Sequence, residues 1–123
     1  MPIESLIAYA HVEDVDRSVE FYRRLGLEVQ NTHTAEGRLA WAFMEHGDAK
    51  LMLALADGPI DAGNQAVLFY CWTPDLQALH DELATEGVNV GPVTHPFYMP
   101  DGEFRLEDPD GYVLLVGQLG DAG

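Results

Sequence analysis

The sequence predicts an α+β fold in which two βαβββ modules follow one another in a single chain. Three observations carry that expectation. Two amphipathic helix signals share their start and stop residues, they lie at a constant offset of 61 positions (Asp75 against Asp14), and each half places a turn before its last apolar strand. A helical repeat array would show more copies and fewer strands.

Taken in order, Leu6 to Ala10 reads as a strand, followed by Glu13 to Gly26 as a helix. Asp14 is a good N-cap, because its short side chain can accept from the unsatisfied first-turn N–H groups. Val15, Ser18, Val19 and Tyr22 fall on one face at helical spacing, and Gly26 stops the helix. Leu27 to Val29, Leu39 to Met44 and Leu51 to Leu55 are strand-like, with Glu45-His46-Gly47-Asp48 as the turn before the last. Residues 57–64, rich in Gly, Asp and Pro, read as a linker. The second half repeats the plan: strand Val67 to Trp72, helix from Thr73 as cap through Pro74 to Gly87, then Val88 to Val90, Phe104 to Leu106 and Tyr112 to Val116. Leu76, Leu79 and Leu83 form its buried stripe, and Asp108-Pro109-Asp110-Gly111 its turn. The expected organisation is one domain over 1–123, with modules at 4–56 and 65–118.

A helix covers only one face of a small sheet, so the other face must be buried elsewhere or line a pocket. Alternation assigns the residues. If Leu6, Ala8 and Ala10 pack under the first helix, Ile7, Tyr9 and His11 face inward. The offset then places Leu68, Tyr70 and Trp72 on the matching face. Leu51, Leu53 and Leu55 as core leave Met52 and Ala54 inward, with Val113 and Leu115 as counterparts. Trp41 and Phe43 share one face of their strand, and parity does not say which.

Composition bounds the function. Twenty-one acids against six Lys and Arg give a net charge of −15, which argues against nucleic acid as a partner. No apolar run is long enough to cross a membrane and the start has no basic leader, so a cytoplasmic location is expected. The single cysteine, Cys71, excludes an internal disulfide and a thiolate metal cluster. No Lys or Arg lies between Lys50 and Arg105, a stretch holding eight acids, among them Asp101 and Glu103. Such a surface is ordinarily solubilising; it would also concentrate cationic ligands. His33, His46 and His95 are expected in loops or turns and His80 on a helix; only His11 could reach the inner face, and no pair has helical metal-site spacing.

Val12 to Tyr22 with Leu25-Gly26-Leu27, and Gly102-Glu103-Phe104 with Glu107 to Tyr112, make the chain resemble the vicinal oxygen chelate superfamily of glyoxalases, bleomycin resistance proteins and extradiol dioxygenases. That resemblance implies paired βαβββ modules in a curved mixed sheet around a pocket, often in a dimer. Enzymes of the family hold one divalent metal at four inner strand positions, which fall here near Ile7, Ala54 (or Met52), Leu68 and Leu115. All are apolar, whereas such cations need imidazole, carboxylate or carbonyl donors. The chain is therefore similar to the metal-free, bleomycin-resistance-like branch, with no cofactor expected.

What remains is aromatic. The expected ligand-binding set is Tyr9, His11, Trp41, Phe43, Met52, Leu68, Tyr70, Trp72 and Leu115, with Phe97, Tyr98 and Asp101 from a proline-rich loop at the rim. Rings edged by acids suit a flat aromatic ligand that can be cationic, such as an antibiotic or natural product. The expected protein is a homodimer that sequesters its ligand without chemistry. The alternatives are an enzyme of the same fold (lyase, isomerase or oxygenase) using His11, Glu45 or Asp101, and an accessory binding protein in natural-product biosynthesis.

Overall fold

The computed structural model describes residues 2–120. The chain forms two compact units, the first ending at Ile60 and the second beginning at Asp61.

The first unit contains β1 (Ala8–Val12), α1 (Val15–Arg24), β2 (Glu28–Ala35), β3 (Arg38–His46) and β4 (Ala49–Leu55). Its sheet has the order β1-β4-β3-β2, with β1 parallel to β4 and the other pairs antiparallel. Ala10, Val12, Ala42, Met44, Leu51 and Leu53 are buried, together with Val15, Ser18, Val19, Phe21 and Tyr22 of α1. The alternating strand positions therefore meet the helical stripe, as period-two and period-3.6 patterns require of a two-layer unit. Glu36 and Gly37, both at positive φ, turn the chain between β2 and β3.

The second unit contains a short 3₁₀ turn in the linker, then β5 (Leu68–Thr73), α2 (Leu76–Thr85), β6 (Glu103–Glu107) and β7 (Val113–Gln118). Its sheet has the order β5-β7-β6, with β5 parallel and β6 antiparallel to the central β7. Leu76 and Leu83 of α2, Phe104 and Leu106 of β6, and Leu114 and Val116 of β7 are buried. Cys71 lies on this core-facing side of β5, half-buried, and burial pushes its thiol up to about 11.

The repeat extends to single hydrogen bonds. Asp14 accepts from the Arg17 N–H and Asp75 from the Ala78 N–H, both at 3.1 Å. The Leu27 N–H donates to the Tyr22 carbonyl and the Val88 N–H to that of Leu83; Gly26 donates to Arg23 and Gly87 to Ala84. Every partner in the second set is its counterpart plus 61. Gly26 and Gly87 hold φ of +96° and +87°, the left-handed exit that glycine takes without a Cβ penalty.

Five sequence expectations are corrected. Val88 to Val90 forms no strand but one isolated bridge, Val90 with Leu106: the Val88 N–H is held by the Leu83 carbonyl at the helix exit, and Pro92 has no N–H with which to carry the ladder past Gly91. The second unit is thus three-stranded. Leu6 lies before β1 at 92% exposure, so it is not core. Asp75, not Thr73, caps α2; Thr73 ends β5. His33 belongs to β2, opposite Trp41, and His46 ends β3 opposite Ala49, which leaves only Gly47 and Asp48 in that turn. The last correction is one of register. Tyr9 pairs with Met52 and Tyr70 with Leu115, so Leu115 corresponds to Met52, Gly117 to Ala54, and Val113 to Lys50.

Candidate functional site

In the second unit α2 lies on one face of the sheet, and the residues pointing away from that core form the candidate site. Burial along β5 alternates, with Leu68, Tyr70 and Trp72 outward at 51%, 38% and 55% exposure. The Tyr70 and Trp72 rings lie 4.9 Å apart between centroids, tilted by 47°. The register sets Leu68 beside Val113, Tyr70 beside Leu115 and Trp72 beside Gly117, and on β6 it adds Glu103, Arg105 and Glu107 to the same face.

Gly117 decides what Tyr70 can reach. A Cβ at that position would lie 2.9 Å from the Tyr70 hydroxyl oxygen and 3.2 Å from its Cε1. With no side chain there, the ring lies across β7 and donates its hydroxyl to Glu103 Oε2 at 2.8 Å. Tyr98, in the loop before β6, donates to the other oxygen, Oε1, at 2.6 Å. The backbones of Thr94 and Glu103 exchange hydrogen bonds in both directions, which ties that loop to the strand.

Glu103 is only 6% exposed. Together with Leu115, Arg105, Glu107, Asn89, Gly91, Pro92 and Thr94 it lines an open groove of about 630 Å³ along β6. Arg105 bonds Glu107 at 3.3 Å. Burial, and then the bond to Glu103, push the Tyr70 phenol up to about 12; for Tyr98 the bond to Glu103 leads and burial follows, in the same direction. Both phenols keep their protons at neutral pH. They act as donors, and neither serves as a general base.

The first unit has a comparable face. Tyr9 pairs with Met52 and Met52 with Phe43; His11 pairs with Ala54 and Ala54 with Trp41. Trp41 and Phe43 thus share the face of Tyr9 and His11, opposite the core. The Tyr9 and His11 rings meet edge to face at 5.7 Å. Trp41 pairs with Ala54 as Glu103 pairs with Gly117, so a ring occupies in one unit the position that a carboxylate holds in the other.

The structure therefore brings together Leu68, Tyr70, Trp72 and Leu115, with Tyr98 joined through Glu103, and separately Tyr9, His11, Trp41, Phe43 and Met52. Phe97 packs edge-on against Tyr98 at 5.5 Å and is 96% exposed; Asp101 is exposed in the turn before β6 and does not line the groove. Glu103 itself was missed as a site residue. The available signal was parity: with Phe104 and Leu106 as core, Glu103 must face the other way.

The family's metal positions do not fit a cation. Ile7, Leu68 and Leu115, with Met52 or Ala54, offer no imidazole, carboxylate or carbonyl side chain to a divalent cation. Among the described residues no group of three or more His, Cys, Asp or Glu side chains is placed to hold a metal ion.

Among the described residues, two helices and seven strands in two mixed sheets, each sheet with one face covered by a helix, define an α+β protein of the bleomycin-resistance-like fold. Residues 7–116 match the family model of the Glyoxalase/Bleomycin resistance protein/Dioxygenase superfamily, and the chain belongs to that superfamily. Among solved structures it is similar to a bleomycin-binding protein complexed with bleomycin, at 19% identity and TM-score 0.77, covering 96% of this chain and 100% of that one. It is also similar to TnmS3, an antibiotic binding protein from Streptomyces sp. CB03234, at 20% identity and TM-score 0.75, covering 98% and 99%. A lactoylglutathione lyase from Agrobacterium tumefaciens shares the fold at 20% identity and TM-score 0.65, covering 96% of each chain. No curated protein sequence gives a significant match. No helix among the described residues is long and apolar enough to cross a membrane.

Proposed function

We propose that the chain binds and sequesters a flat aromatic small molecule, an antibiotic or related natural product, without transforming it, as a cytoplasmic homodimer. The observation that carries this reading is the Tyr70–Trp72 pair, two adjacent rings on the uncovered face of β5 beside an open groove. Large rings left half-exposed on a regular strand offer stacking surface that the chain itself does not use. Apolar residues at the family's metal positions weigh against the metal-dependent chemistry of its enzymes. The likeness to two antibiotic-binding proteins is in keeping with the reading.

Titration of intrinsic tryptophan fluorescence with bleomycin and other aromatic antibiotics tests it. Trp72→Ala is expected to weaken binding roughly tenfold or more, since stacking at about 0.5–1.5 kcal/mol adds to lost apolar burial. A divalent metal retained through purification, with turnover abolished by a chelator, would replace this reading with an enzymatic one.

A further inference from the structure

We propose that Glu103 is the charge anchor of the groove, accepting hydrogen bonds from a protonated nitrogen (an ammonium or amidinium group) carried by an aromatic ligand. Tyr70 and Tyr98 are positioning residues that hold it for that contact. The inference rests on the small-molecule binding reading above and names the ligand chemistry it requires.

Two phenol donors, one on each oxygen, specify an acceptor with two equivalent oxygens, which a carboxylate supplies and an amide does not. Each carboxylate oxygen has two acceptor sites, so one on each oxygen remains for a ligand. Glu103 is also the acid whose charge is uncompensated on this face. On the same face of β6, Arg105 and Glu107 bond to each other, while no Lys, Arg or His nitrogen among the described residues lies within ion-pair distance of Glu103. A buried carboxylate without a cation is costly, and a ligand cation in the groove would relieve that cost. Charge-assisted hydrogen bonds are the strong ones, and the exposed Tyr70 and Trp72 rings on the same face offer the ligand's cation a second attraction.

The probes are 9-aminoacridine, a cation at pH 7, and acridine, its neutral counterpart with the same ring system. Affinities are measured by calorimetry in about 0.5 M sodium chloride, where the Debye length is only about 4 Å and the surface field is screened. The wild-type chain should favour the cation roughly tenfold or more. Glu103→Gln should bring the ratio near one while acridine still binds. Glu103→Asp, which draws the charge back from the groove, should give an intermediate ratio and stands in if Glu103→Gln melts early. Trp72→Ala should weaken both probes alike. Binding of both with a ratio that Glu103→Gln or Glu103→Asp leaves unchanged would overturn the anchor alone. Binding of neither would overturn the aromatic-ligand reading and the anchor with it.

Discussion

Tyr70 and Glu103 stand on strands that do not touch, and they meet by a 2.8 Å hydrogen bond across the strand between them. The crossing depends on Gly117, whose missing Cβ leaves the space through which the phenol passes. Gly117→Val should therefore keep the fold, since the colliding atoms are the far end of a side chain, but break the contact. The expected cost is about 1.5–3 kcal/mol, the usual net worth of a hydrogen bond to a charged group. Thermal melting reads the cost, and loss of the high-pH tyrosine step reads the break. A variant with an unchanged tyrosine titration would show that the ring does not need the gap.

The alkaline limb of stability follows from the same contact. The Tyr70 phenol sits near 12 in the folded chain against an ordinary 10.0, so the folded state holds its proton where the unfolded chain releases it. The contribution is fully present below pH 10 and drains away as pH rises from there through about 12. Tyr70→Phe should flatten that decline, and ultraviolet absorbance of the phenolates should lose one late-titrating group. A decline of equal steepness in Tyr70→Phe would assign the alkaline loss to other groups.

Asp14 and Asp75 cap α1 and α2 through the same hydrogen bond at the same distance. Asp14→Ala and Asp75→Ala are expected to cost about 1 kcal/mol each, as lost N-caps do. Denaturant titration checks both. A loss in one and none in the other would mean that the caps match in geometry alone.

Glu36 holds φ of +53° in the turn between β2 and β3, where a side chain with a Cβ is strained and asparagine is the preferred residue before glycine. Glu36→Asn should stabilise the chain by about 0.5–1 kcal/mol, a gain visible as a raised Tm. An unchanged or lowered Tm would place the strain elsewhere.

The helices, their caps and the direction of β5 side chains were legible because each rests on a local rule: a short polar residue before an apolar stripe, a glycine after it, and strict alternation along a strand. What was not legible depends on neighbours distant in sequence. The missing strand at Val88 to Val90 follows from the helix exit, which holds the Val88 N–H on Leu83, and from Pro92, which stops the ladder beyond a run that otherwise reads as extended. The pairing of Leu115 with Tyr70 is a register between strands, which periodicity within each strand leaves undetermined by steps of two. In the sequence Glu103 is one more acid in a charged stretch, because its partners, Tyr70 and Tyr98, share no spacing with it that a helix or strand would reveal. Parity alone leaves the face of Trp41 and Phe43 open, and their pairing with Ala54 and Met52 fixes it.

Cys71 gives the second unit a chemical clock. With its thiol near 11, only about one molecule in ten thousand carries the nucleophilic thiolate at pH 7 while the chain is folded. Alkylation at neutral pH is therefore slow in the folded chain, and any parting of β5 from its neighbours speeds it. Since Cys71 is flanked by Tyr70 and Trp72 on the opposite face of the same strand, any occupant that clamps those rings slows the clock, and site occupancy can be timed on the side of the sheet it never touches.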